Sequence, residues 1–217
     1  MNNVFNNLFA SVIAFFALNV FAQQAMEIPA VKEGDKLVIK YIVYGEKGRE
    51  LVEQSTSDLP ASVSFFDNGY SVNYKAGRVE TYNNQHTLLS FKSRGKVTDY
   101  PSEQQFNWFP KDFSVGKKDP VSYSVNNNEC PNVKNTFPDV TVEQGVRSLR
   151  LQGVEKQVPV QVLTFKGKWS GSCGTGNFET VVVYSQQLNF ILERKSLNYL
   201  PNGFLYAGEA RIVTSLN

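Results

Sequence analysis

Three side chains could carry nucleophilic or proton-transfer chemistry by type alone: the single His86 and the two cysteines, Cys130 and Cys173. A hydrolytic triad would have one base available, His86, beside Gln85 in a turn, and no serine sits in a Gly-x-Ser-x-Gly elbow. His86 reads as a solvated strand-end residue. The cysteines lie 43 positions apart, in Asn126-Asn127-Asn128-Glu129-Cys130-Pro131 and in Ser170-Gly171-Ser172-Cys173-Gly174-Thr175-Gly176. In an oxidising compartment a pair of this kind bonds, so a disulfide tying two loops is expected. The alternative, a catalytic thiol paired with His86, lacks the basic surroundings that hold a thiolate. One histidine and two cysteines also leave too few ligands for the usual zinc, haem or iron-sulfur site, so neither metal nor cofactor is expected.

Carboxylates offer a second route to chemistry. Glu155, Glu179, Glu193 and Glu209 could meet as the paired acids of an envelope-acting hydrolase. Their neighbours Lys156, Arg194 and Lys195 instead point to a solvated sheet face. The segment from Ser170 to Gly176 is rich in glycine, but it has no Lys-Ser/Thr pair and opens no helix, so it reads as a hairpin loop and not as a phosphate cradle. No catalytic residue is assigned. A formal net charge of +2, with basic residues spread among the strands, gives no footprint for nucleic acid.

Aromatic residues are the one excess, and most belong in a β core. Trp108, Phe109, Trp169 and Tyr184 border the irregular and glycine-rich segments, which makes them the candidate lining of a ligand pocket.

These residues must be positioned by strands. From Asp35 onward apolar residues recur at every second position, and Gly, Pro, Asn and Asp interrupt the chain at short intervals. Lys36 to Tyr44 turns through Gly45-Glu46-Lys47-Gly48 and returns through Glu50 to Ser57. Asp67-Asn68-Gly69 is the strongest short hairpin signal. In Val160 to Trp169, Leu163, Phe165, Gly167 and Trp169 share one face, and Thr164, Lys166 and Lys168 the other. The expected fold is all-β: a curved antiparallel sheet, half-barrel or sandwich, with an irregular crossover around 108–144 in which Val121 to Val125 is the one clear strand.

Leu8 to Leu18 is an apolar run of the length of a signal-peptide core, too short to cross a bilayer, and Val20-Phe21-Ala22 has the form that signal peptidase accepts. Residues 1–22 are therefore expected to be a signal peptide cleaved after Ala22, and residues 23–217 a single β domain. No cysteine precedes Cys130, and no later run is long and apolar enough for a membrane helix. The mature chain is expected in the periplasm or medium without a transmembrane anchor.

Phe109-Pro110 through Val115-Gly116-Lys117, Gly153-Val154-Glu155, Gly176-Asn177-Phe178-Glu179-Thr180, Tyr184-Ser185 and the returning Leu188-Asn189-Phe190-Ile191-Leu192-Glu193 resemble turn-plus-strand patterns of exported bacterial proteins of unassigned function. The resemblance implies a curved antiparallel sheet similar to periplasmic carriers of lipids or lipoproteins. The expectation is a non-enzymatic binding protein whose partner is a lipid or other apolar ligand, or a protein of the envelope.

Overall fold

The computed structural model describes residues 28–93, 95–99, 113–125 and 133–217. Thirteen strands follow in chain order: β1 Lys36–Lys47, β2 Glu50–Phe66, β3 Gly69–Tyr74, β4 Val79–Asn83, β5 Leu88–Ser93, β6 Lys96–Asp99, β7 Gly116–Lys118, β8 Val121–Val125, β9 Val133–Leu151, β10 Val154–Gly171, β11 Gly174–Ser185, β12 Phe190–Tyr199 and β13 Leu205–Leu216. They form one sheet in the order β6-β5-β4-β3-β2-β1-β13-β12-β11-β10-β9-β7, with β8 also on β9. Neighbours along this path are antiparallel. At one point the sheet meets itself, where Ser215 and Leu216 of β13 pair in parallel with Arg150 and Leu151 of β9. The result is a partial ring built from one bent sheet, so of the two expected arrangements the half-barrel is the one present.

Alternation decides which side chains go inside. In β10, Leu163 and Phe165 are buried while Lys166 and Lys168 are exposed, as their spacing requires. The larger core draws on both halves of the sheet: Leu37, Ile39, Val63, Tyr70, Val72 and Tyr82 from the first, Leu149, Val158, Val183, Phe190 and Val213 from the second. A single cluster fed from both ends of a strand order requires the sheet to curl around it. A second cluster, Phe137, Val140, Val142, Leu163, Phe165, Val182 and Tyr184, is joined by Phe113 and Val121. Adjacent Val182 and Val183 belong to different clusters, so β11 is buried on both faces and its apolar run Val181-Val182-Val183 has a packing role on each side.

The crossover expected around 108–144 needs correction. Residues 133–144 are the first part of β9, a 19-residue strand, and 116–118 and 121–125 are the short strands β7 and β8 paired to it. Pro138 and the polar residues between Val133 and Asp139 concealed an alternation in which Asn135 and Phe137 are buried. The proline is tolerated because the β9–β10 register slips there, between Lys166 and Lys168. A side chain at Gly167 would stand 2.0 Å from the Thr136 carbonyl oxygen, so the slip requires glycine opposite it. The first hairpin also turns later than expected, on Gly48-Arg49, with Gly45 to Lys47 still in β1. Residues 1–27, which include the expected signal peptide, lie outside the described residues, and so do residues 100–112 and 126–132.

Candidate functional site

Inward alternation in β4 points Glu80 and Tyr82 toward the core, and Glu80 is only 2% exposed. A lone buried carboxylate would be strongly unfavourable, and here every oxygen is satisfied. Arg78 donates to Oε1 from Nη2 at 2.6 Å and from Nε at 3.1 Å, and Arg211 Nη1 of β13 donates to the same oxygen. Tyr74 and Tyr82 hydroxyls donate to Oε2 at 3.0 and 2.9 Å. Arg211 continues to Glu209 at 2.9 Å, and Glu209 accepts from the Tyr41 hydroxyl at 2.8 Å. Burial pushes the Glu80 pKa up, but the Arg211 and Arg78 charges outweigh it and hold the carboxyl below its ordinary range. Burial pulls Arg211 down, and Glu80 and Glu209 overcome this and hold it above its ordinary range. Burial, with Glu80 nearby, raises Tyr74 and Tyr82. Near neutral pH Glu80 therefore stays ionised, and Arg211, Tyr74 and Tyr82 keep their protons. The consequence is mechanical: Glu80 and Arg211 tie β4 to β13, which three strands separate in the sheet order.

Beside this ion pair, aromatic rings pack in series among the described residues. Tyr70 stacks on Tyr82 with ring centroids 5.1 Å apart and lies 5.3 Å from Phe190. His86 continues the series, 5.5 Å from Tyr70 and 5.0 Å from Tyr184, and Phe113 stacks on Tyr184 at 5.4 Å. The cavity between Tyr70, Tyr82, Phe190, Glu80 and Arg211 measures about 40 Å³, room for about one water molecule. His86 is thus buried at 5% exposure and is not the solvated strand-end residue expected. Its left-handed backbone, φ 57°, swings the ring inward, where Nδ1 shares a 2.9 Å hydrogen bond with the Tyr70 hydroxyl. Burial lowers its pKa, against an opposing hydrogen bond to Asn189.

Of the expected ligand residues, Trp169 and Tyr184 lie at different ends of the β10–β11 hairpin. Trp108 and Phe109 lie outside the described residues. Tyr184 sits in the aromatic series just described, its hydroxyl donating to Asn189 at 2.7 Å. Trp169 lies at the other end of the β10–β11 hairpin. It is in register with Gly176, and the eight positions from 176 to 184 span about 26 Å of strand. Its indole lies across Gly176, where a side chain would stand 2.5 Å from Nε1, and that buried N–H has no acceptor among the described residues. Cys173 occupies the β10–β11 turn and is not a free thiol. Cys130 lies outside the described residues. The four carboxylates of the hydrolase alternative stay apart, each with its own partner: Glu155 with Ser148, Glu179 with Lys166, Glu193 with Arg147, and Glu209 with Arg211 and Tyr41. Among the described residues no group of three metal-ligating side chains occurs.

Sequence reasoning missed Glu80 and Arg211. The signal was present in Val79-Glu80-Thr81-Tyr82, because placing Tyr82 inside obliges Glu80 to be inside as well.

A second feature is exposed. At the end of the sheet that carries Trp169, the β1–β2 and β12–β13 hairpins lie side by side: Leu205 N–H donates to Glu46 at 3.0 Å, and the Arg49 guanidinium is 5.1 Å from the Phe204 ring. Tyr206 is 70% exposed and Phe204 43%, with Leu51 and Leu200 also open to solvent. Arginine, tyrosine and phenylalanine on one protruding edge match the composition of protein-interface centres.

No family model matches the sequence, and no curated protein matches it. Among solved structures, the chain is similar to the hypothetical lipoprotein YmcC from Escherichia coli, with 8% identity, a TM-score of 0.48, and coverage of 99% of this chain and 97% of that one. It is similar to a candidate exported protein with a YmcC-like fold from Bacteroides fragilis, with 12% identity, a TM-score of 0.39, and 87% and 98% covered. A candidate lipoprotein from Parabacteroides distasonis gives 12% identity, a TM-score of 0.41, and 90% and 100% covered. These are the kind of protein that the turn-plus-strand motifs resemble.

Proposed function

We propose that the chain is an exported, non-enzymatic protein of the bacterial envelope that binds another envelope protein through its hairpin end. Export is supported by the Leu8 to Leu18 apolar run followed by Val20-Phe21-Ala22, with cleavage after Ala22. The observation that carries the choice of partner is the small volume of the cavity beside Glu80 and Arg211. A cavity of about 40 Å³ is far below the roughly 300 Å³ at which small-molecule sites begin. A carried acyl chain therefore finds no place behind Glu80, whereas Phe204, Tyr206, Leu51 and Arg49 stand exposed together. Native mass spectrometry of the exported chain with palmitate and a diacylglycerol, which probe for an acyl-chain site without a zwitterionic headgroup, together with tryptophan emission, tests the choice. We expect no bound lipid and no spectral shift. A stoichiometric lipid adduct that is lost in Trp169→Ala would restore the carrier reading and remove this one.

A further inference from the structure

The partial ring has a seam. β13 pairs with β12 as far as Ile212 and with β9 only from Ser215, so residues 213 and 214 have no strand partner on that side. A groove of about 440 Å³ opens at this point, lined by Asp58, Ser148, Arg150, Glu155, Ile212 and Thr214 among others. Its size falls within the range of small-molecule sites. It is separate from the hairpin end, and its chemistry differs from that of the cavity beside Glu80.

The charges of the groove do not cancel within the protein. Glu155 accepts from the Ser148 hydroxyl although Arg150 stands opposite it across the β9–β10 pair. The Arg150 guanidinium makes no hydrogen bond or ion pair among the described residues, and neither does the Asp58 carboxylate, although Lys40 faces Asp58 in register. A positive group and two negative groups thus line one groove, on walls supplied by β9–β10 and β2, while the Thr214 hydroxyl is turned away to the Val38 carbonyl at 3.1 Å. The complementary ligand carries both signs. A guanidinium takes a carboxylate or phosphate through paired N–H groups, and an ammonium suits the carboxylates.

We propose that this seam groove binds a small zwitterion, its anionic group on Arg150 and its primary ammonium between Asp58 and Glu155. The chemistry is shared by a phosphoethanolamine headgroup and by the ends of a short peptide, and two probes separate them. Calorimetric titration of the exported full chain uses O-phosphoethanolamine and dialanine, with ethanolamine and inorganic phosphate as single-charge controls. At least one zwitterion is expected to bind tenfold or more tightly than either control. Arg150→Gln and Asp58→Asn are each expected to weaken it at least tenfold with an unchanged melting temperature, since both side chains are exposed. Tyr206→Asp, at the hairpin end, is expected to leave it unaltered, so the outcome is independent of the envelope-partner reading. Binding of O-phosphoethanolamine alone assigns a lipid headgroup, and binding of dialanine alone assigns a peptide end. Binding of neither, binding no tighter than phosphate, or full binding by both variants would overturn the proposal.

Discussion

Among the described residues Glu80 is the buried carboxylate, and two arginines converge on it. Removing one member of a buried, hydrogen-bonded ion pair typically costs about 3–5 kcal/mol, because the remaining charges stay desolvated. Glu80→Leu is therefore expected to lower the melting temperature by roughly 6–20 °C, at about 2–4 °C per kcal/mol for a chain of this size. Thermal unfolding followed by circular dichroism measures it. The pH dependence follows in sign. Glu80 is depressed in the folded protein, so its contribution is complete above the unfolded glutamate pKa of about 4.3 and is lost as pH falls through the folded value. His86 acts at higher pH. Its folded pKa is lowered, so below about 6.5 the unfolded chain takes up a proton that the folded chain refuses, and stability declines as pH falls. Denaturant midpoints between pH 7.5 and 5 are expected to fall in the native chain and to flatten in His86→Phe. An unchanged slope in that variant would contradict the buried, neutral imidazole.

Strands were legible in the sequence where alternation was clean and hidden where it was interrupted. Leu163, Phe165, Lys166 and Lys168 gave the faces of β10 correctly, and Val121 to Val125 gave β8. β9 was hidden because Pro138 and a register slip break the period of two, and only the pairing with β10 reveals that the strand continues. His86 was misplaced for a related reason: a left-handed turn residue has no period to betray its direction. The expected bridge between Cys130 and Cys173 would tie the chain at position 130 to the β10–β11 turn. Intact mass of the exported chain is expected about 2 Da below the dithiol. Closing a 43-position loop contributes about 4 kcal/mol in the chain-entropy description. Cys130→Ser, Cys173→Ser and the double change should therefore destabilise alike, because each opens the same loop. Free thiols in the oxidised, exported protein would refute the bridge.

At the scale of the molecule, composition and periodicity gave an all-β sheet, and the bend that makes it a partial ring came only from the long-range pairings of β13 with β1 and β9. The candidate site was less legible. Trp169 and Tyr184 border irregular segments in the sequence, yet they lie at different ends of one hairpin. The exposed group near Trp169 assembles from strands far apart in sequence, Arg49 and Leu51 with Phe204 and Tyr206. In the proposed function this end meets a protein and the bent sheet encloses no lipid. A photo-activated cross-linker in place of Tyr206, in the exported full chain within intact envelopes, tests it most directly. We expect one discrete protein adduct whose purified partner binds the native chain and loses at least tenfold affinity for Arg49→Glu or Phe204→Asp. Adducts with acyl lipid alone, or a partner that binds both variants as well as it binds the native chain, would contradict the account.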